Sequence, residues 1–249
     1  MNNNNTVNNI RNYIPAAVIL GVAFVLGALL LSSTWKYVSR KDVTVNVTGS
    51  ASKDIKSDYA IWNGSISIES VSLQDSYAKL KDANEKVKNY LVGKGFPADK
   101  INVSAINTTT LYVSNEQGYS TNQITGYRLN QDFRVESEEV DKIDKLSREA
   151  TELINEGIEI NSPTPEFLYT KLADLKVEMT GLAAMDAKER AEQIAKSTGN
   201  DIGEVMSSRM GVVQINAKNS TEISDYGINN TTSIDKTIRV VVNMSFSID

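Results

Sequence analysis

Hydrophobic and polar residues alternate most regularly in the last segment of the chain. Val241 is the only exception to a pattern in which one face is apolar and the other is polar. The apolar face consists of Ile238, Val240, Val242, Met244, Phe246 and Ile248, and the polar face of Thr237, Arg239, Asn243, Ser245 and Ser247. This period of two predicts a β-strand that is buried on one side and solvated on the other, as in an antiparallel sheet.

Six earlier segments also have the composition of strands: 43–48, 59–69, 101–113, 124–135, 158–169 and 202–213. A turn is expected at residues 49–52, which begin with Gly49, and polar loops are expected at 114–122 and 214–236. Pro163 and Pro165 lie within the fifth segment, so it is predicted to be an edge strand or a broken one.

Three segments instead have apolar residues at helical spacing. The first begins after Ser72 and ends at Gly93, the second follows Ser137 and ends at Gly157, and the third covers residues 171–198. Four alanines spaced by four residues in the third helix would let its backbone approach a sheet closely; they are Ala183, Ala187, Ala191 and Ala195. The order ββα-ββα-βα-ββ predicts an α+β fold of antiparallel sheets with three helices packed on one face.

An uncharged segment precedes these elements. Ile14 to Leu31 contains no charged residue, and with Ser32 to Trp35 it would span about 33 Å as a helix, enough to cross a bilayer. We therefore predict that residues 13–36 form a single transmembrane anchor, with the lipid bilayer as a partner. Residues 1–12 contain seven asparagines and are predicted to be a disordered tail.

A cleaved signal peptide is the alternative explanation of this segment. The apolar stretch is longer than a usual signal-peptide core, and no A-x-A-like cleavage site follows it, which favours an uncleaved anchor. The flanking charges are Arg11 and the amino terminus on one side and Lys36, Arg40 and Lys41 on the other. This small bias alone would place the large domain in the cytoplasm.

The composition narrows the possible chemistry. The chain contains neither cysteine nor histidine, which excludes disulfides, thiol nucleophiles, Cys or His metal sites and Ser-His-Asp triads. All 31 acidic residues but only 22 of the 26 basic residues follow residue 41, which gives residues 42–249 a net charge of −9. Such a surface repels phosphate backbones, so no nucleic-acid partner is expected. We expect a protein that is not an enzyme and that uses no cofactor or metal.

Three matches to the S-x-x-K motif of serine acyl enzymes lack the S-D-N and K-T-G motifs that accompany it, and are interpreted as chance. They are Ser76 with Lys79, Ser50 with Lys53, and Ser233 with Lys236. The segment from Gly93 to Ala98 fits G-x-G-x-x-A, but it follows a predicted helix rather than a strand. This order indicates a helix C-cap and not a dinucleotide site.

Four acidic residues around the start of the second helix could be taken for a metal cluster: Glu136, Glu138, Glu139 and Asp141. Neighbouring residues of a helix point in different directions, and a helix amino terminus favours acids for electrostatic reasons. We therefore interpret them as solvated side chains.

Several short motifs, taken in order, resemble those of the SIMPL-domain family. The segments that carry the resemblance are Val43 to Ala51, Ser57 to Ala60, Asp99 to Ile101, Thr125 to Arg128, Ala195 to Gly199, Ile202 to Val205 and the final strand. They cover residues 43–249, so residues 42–249 are treated as one SIMPL-like domain. Asp58, Gly126, Tyr127 and Arg128 match motif positions of unknown role, and no catalytic residue is carried over. Asp58 stands where the family has an acid, and we expect it to accept hydrogen bonds from backbone amides at a strand start.

The resemblance implies an envelope protein outside the cytoplasmic membrane, against the weak charge bias. It also implies relatives that self-assemble and are linked to oxidative-stress defence. The leading hypothesis is a membrane-anchored, non-enzymatic envelope protein that forms a homo-oligomer. The alternative is a membrane-tethered module that binds a peptide or another envelope ligand. The final strand has few charges, so either it is central in its sheet or its edge pairs with a second subunit.

Overall fold

The computed structural model describes residues 18–30 and 43–248. Residues 18–30 form helix α1. Within these two ranges, no helix combines the length and the hydrophobicity needed to cross a membrane. The predicted tail at 1–12 lies outside the described residues, as do residues 13–17 and 31–36 of the predicted anchor.

From residue 43 onward the described chain alternates strands and helices. The strands are β1 (Thr44–Lys56), β2 (Tyr59–Ser70), β3 (Ile101–Val103), β4 (Asn107–Ser114), β5 (Ser120–Ser137), β6 (Ile160–Asn161), β7 (Glu166–Leu168), β8 (Ile202–Met210), β9 (Gln214–Ala217), β10 (Ile228–Asn229) and β11 (Asp235–Ile248). The helices are α2 (Leu73–Gly93), α3 (Val140–Glu149) and α4 (Leu172–Ser197), with short 3₁₀ turns at Ala98–Lys100 and Ala150–Glu156. The α+β class is confirmed, and α1 brings the described helices to four.

The strands form two sheets. In the first the order is β1-β11-β9-β10, and β8 also pairs with β11. In the second the order is β3-β5-β2-β6, with β4 on β5 and β7 on β2. Strands β9 and β10 run parallel, so the first sheet is mixed and the prediction of purely antiparallel sheets is wrong at this point. Strand β11 lies between β1 and β9, so of the two positions left open for the final strand it occupies the central one.

The chain divides into two compact units, and β1, α4 and β11 contribute residues to both. One unit comprises the described residues up to Ala51, Thr180–Gly211 and 240–248; the other comprises Ser52–Met179 and Val212–Arg239. In the second unit, α2 and α3 contact β2 and β5. Trp62 and Phe133 are fully buried in the core between them, because the apolar stripes of both helices face the sheet.

The predicted alanine row packs as expected in the first unit. Ala183, Ala187, Ala191 and Ala195 are all fully buried. Opposite them, a Cβ on Gly49 would lie 2.1 Å from the carbonyl oxygen of Ala183. Residues 49–52 continue β1 instead of forming the predicted turn. Gly49 allows α4 to approach the strand closely and does not reverse the chain.

Other boundaries differ from the prediction for local reasons. Segment 101–113 is divided between β3 and β4, and segment 158–169 contains only the short strands β6 and β7 on either side of its prolines. The predicted loop 214–236 contains β9 and β10. Some of the apolar residues at helical spacing in the three predicted helices are exposed, because they lie at the margins of the buried face; they are Leu73, Tyr77, Ile154, Leu182 and Ile194.

Candidate functional site

The family-motif positions do not come together in one place. Asp58 immediately precedes the first residue of β2, whereas Tyr127 pairs with Ser70, the last residue of β2. Twelve strand residues at about 3.3 Å each separate the two ends by roughly 40 Å. These positions therefore belong to two separate structural sites.

Asp58 holds the chain just before α4. Its Oδ1 accepts a hydrogen bond from the Thr170 amide at 2.7 Å, and its Oδ2 accepts one from the Thr170 hydroxyl at 2.8 Å. The Asp58 amide donates to the carbonyl of Leu168 at 2.9 Å. The expected backbone-binding role is confirmed, but the amide lies before a helix rather than at a strand start.

Gly126, Tyr127 and Arg128 stabilise the far end of the β2–β5 pair. A Cβ on Gly126 would lie 2.7 Å from the carbonyl oxygen of Ser70, so only glycine fits without a shift. The Tyr127 carbonyl accepts a hydrogen bond from the Ser76 hydroxyl at 3.2 Å, and Arg128 pairs with Glu69 directly across the strands. These contacts account for all three residues structurally.

In two of the S-x-x-K pairs the lysine forms an ion pair with a carboxylate. The buried Ser76 hydroxyl donates to backbone carbonyls, and Lys79 pairs with Asp75 at 2.7 Å. Lys53 pairs with Glu178 at 2.7 Å. In the third pair Lys236 is buried, which the sequence interpretation did not foresee.

The glycine motif is a helix end, as predicted. Lys94 caps α2, and Gly95 follows with φ of +86°. The Lys94 ammonium contacts Glu149 at 2.8 Å and Glu152 at 3.1 Å, and these carboxylates raise its pKa.

Three of the four acids near α3, namely Glu136, Glu139 and Asp141, have separate partners. Glu136 accepts hydrogen bonds from the Tyr59 hydroxyl and from Arg134, each at 2.5 Å, and these bonds lower its pKa. Asp141 pairs with Lys56 at 3.0 Å. The described residues include no group of three or more acidic side chains placed to hold a metal ion.

The pairing of β9 with β11 separates two cavities according to the strand pleat. Thr237 lies opposite Asn216 and Arg239 opposite Gln214, which places four polar residues on one face. Ile238 lies opposite Ile215, and Lys236 opposite Ala217, on the other face. A cavity is found on each face.

The carboxamide cavity, on the polar face, has a volume of about 160 Å³. It is lined by Ser52, Gln214, Asn216, Asn219, Ser220, Thr221, Glu222, Ile223, Thr237 and Arg239. The Gln214 Nε2 donates to the Ser224 carbonyl at 2.6 Å, and the Asn216 Nδ2 donates to the Glu222 carbonyl at 2.6 Å. Each carboxamide is thereby fixed with its oxygen buried and without a hydrogen-bond donor.

The lysine cavity, on the apolar face, has a volume of about 210 Å³. It is lined by Phe167, Leu168, Tyr169, Thr170, Leu172, Ile215, Asn229 and Lys236. Lys236 is only 2 % exposed, and its Nζ donates to the Phe167 carbonyl at 2.5 Å. Burial lowers the pKa of this ammonium.

Both cavities are lined in part by residues of the predicted loop 214–236, so they were missed. Two signals were present. Gln214-Ile-Asn-Ala alternates polar and apolar residues, and Lys236 is in phase with the inward positions Ile238 and Val240. Four residues are too few for a reliable period, and a lysine is not expected at a buried position, so neither signal suffices alone.

Comparison with known proteins identifies one family. The model of the SIMPL family, described as a protein of unknown function (DUF541), matches residues 45–246. The chain matches none of the curated proteins with which it was compared.

Proposed function

Because the chain belongs to the SIMPL family, whose function is unknown, we propose a function from its cavities: it is a membrane-tethered, non-enzymatic envelope protein that binds a short peptide in the carboxamide cavity. This is the ligand-binding alternative from the sequence rather than self-assembly. The reason for the preference is that the final strand is central, so its few charges no longer indicate an unprotected edge.

The two buried oxygens carry the proposal. Gln214 is 7 % exposed, and its Oε1 has no donor; the Asn216 Oδ1 is buried beside it on the same face. A buried acceptor left unpaired costs about 1–3 kcal/mol. Peptide N–H groups are donors of the right kind to satisfy two acceptors that follow the spacing of a strand.

The charged residues that line the carboxamide cavity indicate which charged groups its ligand carries. Arg239 is exposed and forms no ion pair with a carboxylate in the described ranges. A guanidinium binds a carboxylate through two parallel hydrogen bonds. Glu222 supplies an opposite charge, suited to an ammonium group. A cavity of about 150 Å³ accepts benzene, so this one fits one or two small residues with a free carboxylate.

The test measures binding of the dipeptide Ala-Ala to the purified full-length chain by calorimetry, with Ala-Ala amide as the ligand that lacks the carboxylate. We expect saturable 1:1 binding of Ala-Ala, at least tenfold weaker binding of the amide, and a similar loss in Arg239→Gln. Arg209→Gln is the matched control, because Arg209 is exposed and does not line this cavity. Equal binding of the two ligands, or unchanged binding by Arg239→Gln, would reject the proposal.

The tether rests on the uncharged segment 14–35, and the location outside the cytoplasmic membrane rests on the family resemblance. A tethered module samples ligands close to the membrane at raised local concentration. Any link to oxidative-stress defence would be indirect on this proposal, because the chain has neither cysteine nor histidine to react with oxidants or hold a redox metal.

Self-association remains a second candidate because of a different edge. Among the strands that the structure describes, β4 pairs only with β5; its eight residues contain no charge and no proline, and most of them are exposed. Natural edge strands are usually protected by charge or proline, so β4 could pair with β4 of a second copy of this chain. The mass of the full-length chain in detergent tests this candidate. We expect Thr109→Lys to convert a homo-oligomer to a monomer and Val92→Lys, on α2, to leave it intact; a monomeric wild-type chain would reject it.

A further inference from the structure

The buried ammonium of Lys236 in the lysine cavity has no counter-ion among residues 18–30 and 43–248. Lys236 Nζ has one hydrogen-bond acceptor, the Phe167 carbonyl, although an ammonium carries three N–H donors. It forms no ion pair with any carboxylate in the described part of the chain, and none of the residues that line the cavity is acidic. Asp58, which contacts the cavity residue Thr170, has both carboxylate oxygens occupied by that residue.

Burial of the Lys236 ammonium without an anionic partner lowers the stability of the folded chain. Removing one member of a buried ion pair is strongly destabilising, because the remaining charge is uncompensated. The exposed lysines Lys53 and Lys56 and the half-buried Lys94, by contrast, each contact a carboxylate within about 3 Å. A group that supplies negative charge to Lys236 would remove that cost and would occupy space the cavity provides.

The other residues that line the lysine cavity indicate the size and polarity of the uncharged part of this ligand. Phe167, Leu168, Leu172 and Ile215 are hydrophobic, and Thr170 and Asn229 are the only uncharged polar side chains besides Tyr169. The volume of about 210 Å³ exceeds the roughly 150 Å³ that admits benzene. An aromatic ring or a short alkyl chain with one carboxylate therefore matches both the size and the polarity.

We propose that the lysine cavity binds a small apolar carboxylate, whose charged group pairs with the Lys236 ammonium and whose hydrocarbon part contacts Phe167, Leu172 and Ile215. This site lies on the opposite face of the β9–β11 pair from the carboxamide cavity and does not depend on the peptide-binding proposal. Binding supplies a counter-ion that the described residues do not provide, so it stabilises the charged form of the lysine.

The experiment uses benzoate and its neutral analogue benzamide with the full-length chain in detergent micelles, with empty micelles as the blank. We expect benzoate to bind 1:1 with a Kd below about 1 mM and benzamide to bind at least tenfold more weakly. Because this comparison uses only the wild-type chain, it does not depend on whether a variant folds. Equal affinities, or no benzoate binding, would overturn the proposal.

Variants then assign the site. Lys236→Met removes the charge at similar length and should abolish the preference for benzoate. Lys218→Met should retain it, because Lys218 pairs with Asp54 at 3.0 Å and does not line the cavity. Arg239→Gln should also retain it, which separates this site from the peptide site. Loss of benzoate binding in Arg239→Gln but not in Lys236→Met would overturn the assignment.

Discussion

Lys236 and Arg239 are three residues apart in β11 and therefore lie on opposite faces of the same strand. Lys236 is buried with a backbone carbonyl as its partner, whereas Arg239 is exposed beside two unpaired carboxamide oxygens. A sequence pattern can assign each residue to a face. It cannot show that the apolar face has a cavity at Lys236, because the cavity walls come from β7 and from the chain before α4.

The buried lysine predicts a stability that rises with pH. Burial lowers the pKa of Lys236 in the folded state, so between that value and the unfolded value near 10.4 the unfolded chain binds more protons. The free energy of unfolding should therefore increase as pH rises through this window. Urea unfolding at several pH values checks this, and Lys236→Met should show a flatter profile. An identical profile in both chains would contradict it.

Asp58 provides a second prediction at the residue scale. Asp58→Ala removes both hydrogen bonds to Thr170 and should lower the free energy of unfolding by about 1–3 kcal/mol. Asp58→Asn should cost less, because a carboxamide can accept from the Thr170 amide and donate to its hydroxyl. Denaturant midpoints of the two variants measure the difference. A larger cost for Asn than for Ala would contradict the hydrogen-bonding role of Asp58.

At the scale of elements, the hydrophobic period of two predicts which side chains of β11 are buried only where the pairing with the neighbouring strand is regular. Alternation holds from Lys236 to Val242, but Ser245 and Ser247 are buried. Irregularities in the pairing with β8 occur at Ser245/Phe246 and Phe246/Ile248, and a bulge shifts which side chains point inward. Bulges depend on the neighbouring strand, so the final strand's own sequence does not reveal them.

The contact of Gly49 with α4 gives a prediction for an element pair. Gly49→Ala places a methyl group 2.1 Å from the Ala183 oxygen and 2.4 Å from the Ala187 nitrogen, both backbone atoms that move only with the helix. We expect a loss of about 3 kcal/mol in the free energy of unfolding. Gly181→Ala is the control within α4, since no atom lies within 4 Å of its Cβ, and it should stabilise the chain by up to about 1 kcal/mol. If both variants unfold alike, the close approach is not a constraint.

At the scale of the whole molecule, local signals predict most helices and long strands, and non-local pairing determines the rest. The α+β class is confirmed because it depends only on whether each segment is a helix or a strand. The alanine row is confirmed because it depends on the spacing of residues within one helix. The central position of β11 could not be deduced, since a strand with few charges suits both a sheet centre and an interface. The cavities depend on register between β9 and β11, and β9 is too short to predict.

The uncharged segment leads to a prediction about the intact chain. Residues 13–36 are expected to remain attached as a bilayer anchor, because an apolar stretch of this length is stable in the hydrocarbon core. The protein should stay in the membrane fraction after washing with salt, with residues 13–36 still attached to the domain. Phe24→Arg should weaken this retention, since a central arginine costs about 2.5–3.5 kcal/mol on insertion. A soluble chain that begins near residue 33 would establish cleavage instead.

The orientation of that anchor is where two arguments disagree. The flanking charges favour a cytoplasmic domain by about one charge, whereas the family resemblance favours a domain outside the membrane. A difference of one charge is small compared with the bias that normally fixes orientation, so we expect residues 42–249 to lie outside. Trypsin added to intact spheroplasts should then digest this domain while a cytoplasmic marker survives. If the domain is digested only after lysis, the charge argument is correct, and the peptide for the carboxamide cavity must come from the cytoplasm.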